Sequence, residues 1–157
     1  MNNVTIQDNR YWVRVNNKFS FPILIGDVLI SIKHQYAAQI YDGTKRYELQ
    51  HNKPNFKPGT TMWIYEPLPV GKITGIVEFQ ACIMAAPWLI WERFKNHLGV
   101  TQEEFFRYYA GRETAYAWEL ASKLKLDEPI TLADIGLTRP PQSYQYLNLA
   151  PSNTQNQ

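Results

Sequence analysis

Cysteine is nearly absent from this chain. Cys82 stands alone, so no disulfide can close within the 157 residues, which suits a reducing compartment. An excess of charge is absent too. Lys and Arg total 16 against 14 Asp and Glu, for a formal net charge of +2. The molecule is therefore no polycation, and any nucleic-acid site must come from local clustering. No apolar run approaches the ~18 residues of a membrane helix, and no basic segment followed by an apolar one opens the sequence. The expectation is a cytoplasmic, soluble protein with no membrane partner. No internal repeat is visible.

What is present describes a packed domain. Hydrophobic residues make up 45% and charged residues 19%, the balance of a globular chain rather than a disordered one. The length allows one domain with a real core. Five Trp and ten Tyr exceed what such a core needs, which leaves aromatics free to serve as stacking surfaces.

The N-terminal 26 residues read as an extension. Tyr11–Val15 and Lys18–Phe21 are β-prone runs joined by Asn16-Asn17, a pair that tolerates positive φ, so they read as a β-hairpin. Pro22 and Gly26 mark a turn. The hairpin is either an added edge on the main domain or an appendage for a partner. The domain itself is assigned to 27–150. Asp27–Lys33 alternates as a strand. His34–Asp42 carries Ala37, Ile40 and Tyr41 at helical spacing and stops at Gly43. Thr61–Tyr65 and Gly71–Met84 read as strands, the second with Gly75, Val77, Phe79, Ala81 and Ile83 on one face and Cys82 on the other. Pro87 opens a helix in which Trp88, Trp91 and Phe94 form an apolar stripe. Thr101 and Glu104 form a capping box, with Val100 and Phe105 as its staple, ahead of a helix over 102–110. Residues 114–124 have helix-prone composition but strand-like alternation. The Asn/Gln/Ser-rich residues 151–157 read as a disordered tail.

Function concentrates around Gly43-Thr44-Lys45-Arg46-Tyr47-Glu48-Leu49-Gln50. Lys45 and Glu48 lie three residues apart, just past a helix end. On a strand, Lys45 and Tyr47 share one face and Arg46, Glu48 and Gln50 the other, with Lys45 able to reach round the rim toward Glu48. A lysine and a glutamate converging at a cleft bind a polar ligand or transfer protons; the alternative is a solvated strand with ordinary surface charges. Lys45, Arg46, Lys53 and Lys57 then outnumber the one acid, Glu48, across 45–57. The Pro-bounded loop 51–59 suits phosphate contact or is simply solvated.

The G-x-K-x-x-E pattern, after a strand and a short helix, resembles the signature of the ASCH domain family, which shares the PUA-like β-barrel. The likeness extends to DVLISIK (27–33), IYEPLPVGKITG (64–75), Thr101–Gly111 and RPPQSYQYL (139–147), in the family's order. One position departs: the family usually has arginine two residues after the glutamate, and here it is Gln50. The resemblance implies an α+β fold, a mixed β-barrel of about five or six strands flanked by three short helices, and a strand at 114–124.

It also implies RNA or a nucleotide as the ligand, with no cofactor and no metal. For a binding module, Lys45, Arg46, Lys53 and Lys57 would meet phosphates, Tyr36, Tyr47 or Tyr65 would stack on an unpaired base, and Glu48 would accept from a base amino group. For a small hydrolase, Lys45 and Glu48 would be catalytic. ASCH-like enzymes that cleave N4-acetylcytidine use the motif lysine with a threonine where this chain has Glu48. A ribonuclease would use the pair as electrostatic stabiliser and base. A regulatory protein-interaction role is the third alternative.

Overall fold

The computed structural model describes residues 2–151. The tail expected to be disordered therefore lies, from 152 onward, outside the described residues. Among the described residues are nine strands and three α-helices. The strands are β1 Val4–Gln7, β2 Arg10–Arg14, β3 Ser20–Pro22, β4 Val28–Ser31, β5 Tyr47–Gln50, β6 Thr61–Glu66, β7 Lys72–Ala85, β8 Ala115–Ile130 and β9 Tyr144–Tyr146. The helices are α1 His34–Asp42, α2 Pro87–Phe94 and α3 Gln102–Tyr108.

β1, β2 and β3 form a small antiparallel sheet in sequence order. Between β2 and β3, Asn16 Oδ1 accepts from the backbone N–H groups of Lys18 and Phe19 at 2.8 and 3.0 Å. β1 goes beyond the two strands expected. Its turn is Asp8-Asn9, both at positive φ (56° and 59°), the backbone that a tight hairpin requires. Val4, Val13 and Phe21 align across this sheet, and Val13 joins the core cluster that holds Trp63, Ile73 and Leu126.

The main sheet has six strands in the order β5-β8-β7-β6-β4-β9, curled into a half-barrel and flanked by the three helices. Every neighbouring pair is antiparallel except β4 and β6. A parallel pair needs a long crossover. Here it consists of α1, β5 and the loop 51–60, so the topology carries the Lys45–Glu48 stretch away from β4 to the far edge of the sheet.

β8 settles the conflict over 114–124 in favour of strand. Trp118 is buried inside the barrel with Phe79 and Met62, and Tyr116 and Leu120 pack against the same cluster. Ala115 and Ala117 are buried on the other side, under α2 and α3. Packing on both faces rewards the period of two over helix propensity. On β7 the expected alternation fails. The β7–β8 ladder is irregular between Phe79 and Ala81, and such a bulge shifts the parity of all that follows. Cys82 therefore packs with Phe79 inside the barrel, while Ile83 and Ala85 face the helices.

The half-barrel's edge strands, β5 and β9, do not pair. The loop 51–60 bridges them. Tyr146 Oη donates to Asn55 O at 2.9 Å, Trp118 Nε1 to Asn52 O at 3.1 Å, and Asn55 N to Tyr144 Oη at 3.3 Å. Phe56 is buried edge-on against Phe79, Trp118 and Tyr144, with ring centroids 5.2–5.4 Å away. A segment that reads as a basic loop, suited to phosphate contact or simply solvated, is thus the plug of the barrel.

The capping box of α3 forms as expected: Thr101 Oγ1 accepts from Glu104 N, and Glu104 Oε1 from Thr101 N. The α2 stripe differs. Ile90 is buried with Trp91 and Phe94 packed beside it, whereas Trp88 is 62% exposed. A spacing of three drifts off a helix face whose period is 3.6.

Candidate functional site

The turn after α1 is built to deliver Lys45. Gly43 adopts φ 90° and its N–H bonds back to Gln39 O and Ile40 O, a left-handed stop that costs a glycine little. Asp42 Oδ1 then accepts from Thr44 N at 2.8 Å and Thr44 Oγ1 at 2.7 Å. Those bonds hold the Asp42 carboxyl below its ordinary range. Lys45 N bonds to Gln39 O and Arg46 N to His97 O, so the chain is clamped before β5 begins.

Lys45 is only 3% exposed. Its Nζ donates to Leu98 O at 2.6 Å, lies 3.8 Å from Glu48 Oε1 and stands 5.2 Å from the centroid of the Tyr36 ring. The Glu48 side chain is 12% exposed, and its Oε2 accepts from Gln50 Nε2 at 3.3 Å. Burial pulls the Lys45 ammonium below the usual lysine range, opposed by Glu48. Burial pushes the Glu48 carboxyl up, opposed by Lys45 and Gln50. Gln50 thus meets Glu48 with a neutral amide, leaving the carboxyl with less compensation than a guanidinium there would give.

The pair forms part of the floor of a cleft of about 470 Å³. Its walls bring together α1, α3 and the end of the chain, through Tyr36, Val100, Tyr108 and Ser143, with Lys33 and Arg107 on its lining as exposed cations. The volume is that of a small-ligand pocket. Tyr108 is held in place by Oη donating to Leu49 O at 3.4 Å and by the His51 ring stacked on it, centroids 3.9 Å apart. Chemically, the floor offers an ammonium donor beside a carboxyl acceptor, between two tyrosines. The solvated-strand alternative does not describe a lysine this deeply buried.

The other expected residues scatter. Arg46 is exposed in a separate cleft with Tyr47, Glu119 and Lys123. Lys53 and Lys57 are exposed on the plug loop and do not line the Lys45–Glu48 cleft. Two stacking assignments need correction. Tyr65 is 5% exposed within the core that contains Trp63, because it lies on a central strand packed on both sides. Tyr47 is 8% exposed and leans on Phe94, centroids 4.6 Å apart. Neither presents a free ring face to a base. Thr44, the nearest hydroxyl to the motif, is tied to Asp42 on the surface. The sequence reading missed Lys33, Tyr108, Arg107 and Ser143. Ser143 and Tyr108 lie inside quoted motif segments, but only the fold brings those segments to Lys45.

The family model described as the ASCH domain matches residues 30–130. An ASCH domain-containing ribonuclease of Zymomonas mobilis subsp. mobilis is 26% identical over 125 residues, covering 77% of this chain and 84% of that protein. The large ribosomal subunit protein uL22 of Ureaplasma parvum serovar 3 is 21% identical over 120 residues; the match takes in 76% of this chain, which spans only 39% of that protein's length. The crystal structure of ASCH from Zymomonas mobilis superposes with a TM-score of 0.72 at 25% identity, covering 78% of this chain and 87% of the other.

Proposed function

This chain belongs to the ASCH domain family, and we propose that it recognises single-stranded RNA by taking one unpaired nucleotide into the Lys45–Glu48 cleft. The observation that carries this reading is the buried pair itself, Nζ 3.8 Å from Oε1 on the floor of a nucleotide-sized pocket. An ammonium donor beside a carboxyl acceptor complements the carbonyl and amino groups along a base edge. Tyr36 and Tyr108 supply aromatic walls, and unpaired bases are gripped by such stacking. Lys33 and Arg107, on the cleft's lining, would meet phosphates, Arg107 exchanging its exposed pair with Glu103 for them. The ribonuclease relative supports RNA as the ligand class, and the lone Cys82 supports a reducing, cytoplasmic setting.

Cleavage is the second reading, favoured by the upward displacement of Glu48. A carboxyl raised toward neutrality is a better general base. Glu48 would take the proton of a ribose 2′-hydroxyl as its oxygen attacks the adjacent phosphorus; the P–O5′ bond breaks, the 5′-oxygen leaves with a proton from water, a 2′,3′-cyclic phosphate remains, and Lys45 would stabilise the charge that develops on the phosphate. The test is one assay on a 5′-labelled single-stranded RNA. Fluorescence anisotropy gives the dissociation constant at several salt concentrations, and a denaturing gel of the same mixture gives any cleavage. Binding that weakens with salt is expected. A wild-type protein that neither binds nor cleaves the RNA overturns the proposal.

A further inference from the structure

A second cleft, of about 490 Å³, abuts the first. Tyr36, Val100 and Glu104 line both, and so form the partition between them. Beyond it the lining is rich in neutral amides and hydroxyls, among them Gln35, Gln39, Thr44 and Asn96, with Lys95 at one side. One atom there is anomalous. Gln39 Oε1 is buried and, among the described residues, has no hydrogen-bond partner. It lies so close to Gly99 that a Cβ added there would collide with it, and the same Cβ would come within 3.1 Å of Lys45 Cδ. The glycine is what lets the Gln39 amide reach in beside the stem of the buried lysine. A buried acceptor without a donor is costly, and native structures rarely keep one without a reason.

The rest of Gln39 is committed to the scaffold. Its backbone carbonyl accepts from the N–H groups of Gly43 and Lys45. These bonds hold the turn that presents Lys45 to the first cleft, so the two clefts are rigidly linked through one residue. The side chain is free of that duty.

We infer that the second cleft holds the neighbouring nucleotide of the same RNA strand, its base read by the amides of Gln39 and Asn96 across the Tyr36 partition. The inference rests on the proposed RNA reading of the first cleft. An amide offers a donor and an acceptor side by side, the complement of a base edge with an exocyclic amino group. Once its side chain turns toward the cleft, this acceptor selects such bases over unsubstituted purine, whose edge carries acceptors and no N–H donor. Among the described residues Lys95 is ion-paired with Glu92 alone, at 3.5 Å on the surface. A pair so exposed is weak, which leaves the ammonium available to the phosphate between the two nucleotides.

The experiment measures binding of single-stranded r(A)4 and of the matching purine-riboside tetramer, which lacks the 6-amino groups, by wild type, Gln39→Ala and Asn96→Ala, with helix content checked by circular dichroism. Wild type is expected to prefer r(A)4. Gln39→Ala should weaken r(A)4 binding about tenfold, the equivalent of one lost hydrogen bond. It should weaken binding of the purine-riboside tetramer by less than about twofold, so the preference collapses. Asn96→Ala should act in the same direction. Asn96 is exposed, so it decides the matter alone should Gln39→Ala disturb the fold. Wild type binding r(A)4 with both variants keeping its affinity and base preference overturns the second cleft and leaves the first standing. Wild type that binds neither tetramer overturns both.

Discussion

Lys45 Nζ lies 3.8 Å from Glu48 Oε1 inside the fold, and burial moves the two groups in opposite directions, the ammonium down and the carboxyl up. Each is the other's principal means of staying charged. The site is therefore one unit, and its members cannot be changed singly without consequence.

Removing one partner strands the other. Lys45→Met should lower unfolding free energy at neutral pH by about 3 kcal/mol, the cost of an uncompensated buried charge. The double variant Lys45→Met with Glu48→Gln should recover most of that loss. Urea denaturation of the three proteins checks it, and a Lys45→Met variant as stable as wild type would show that the pair is not coupled in a buried site.

The pH dependence has a definite sign. The raised Glu48 carboxyl keeps its proton in the folded chain over a window that opens at the ordinary value of 4.5, where the unfolded chain loses it. Native protein then holds more protons than unfolded protein, so this group's contribution falls as pH rises through the window. Lys45, lowered below 10.5, holds fewer protons when folded, and its contribution grows as pH rises on the alkaline side. Glu48→Gln should remove the acid-side loss. Gln50→Arg should move the Glu48 carboxyl down by restoring a cation beside Oε2. A carbon-detected NMR titration of the Glu48 carboxyl in both backgrounds reads the shift directly, and an unchanged value contradicts the assigned contact.

Phe56 closes the barrel where β5 and β9 fail to pair. Phe56→Ala should cost about 3–5 kcal/mol, as for other buried aromatics, and should speed amide exchange at Asn55 and along β9. A loss below about 1 kcal/mol would mean the loop is not a plug.

Phosphate contacts should follow the cleft rather than the loop. Lys33→Ala and Arg107→Ala should each reduce the slope of log affinity against log salt by about 0.7. Replacing Lys53 and Lys57 together should leave the slope nearly unchanged. The reverse pattern, measured by anisotropy, would move the RNA path onto the plug loop.

Much of the scaffold was legible in the sequence. α1 with its Gly43 stop and the capping box of α3 follow from local patterns that report local physics; the strand at 114–124, helix-prone in composition, was legible through the family resemblance, and its continuation to Ile130 was not. The parity of β7 was not legible, because nothing in the residues around Phe79 announces a bulge that turns Cys82 inward. Nor was the fate of the tyrosines. Tyr65 and Tyr47 read like Tyr36, and only the packing of neighbouring strands decides which ring is buried. In the site, Lys45 and Glu48 were visible because they are close in sequence. Tyr108 and Ser143 were not, because they come to the cleft from 60 and more residues away.

The central claim, that RNA enters the Lys45–Glu48 cleft, is tested most directly by NMR titration of the labelled protein with a short single-stranded RNA. The backbone amides of Tyr36, Lys45, Glu48, Val100 and Tyr108 should shift together and saturate with one dissociation constant, and the shifts should vanish in Lys45→Met/Glu48→Gln. Shifts confined to the β1–β3 sheet or the plug loop, or none at all, would contradict it.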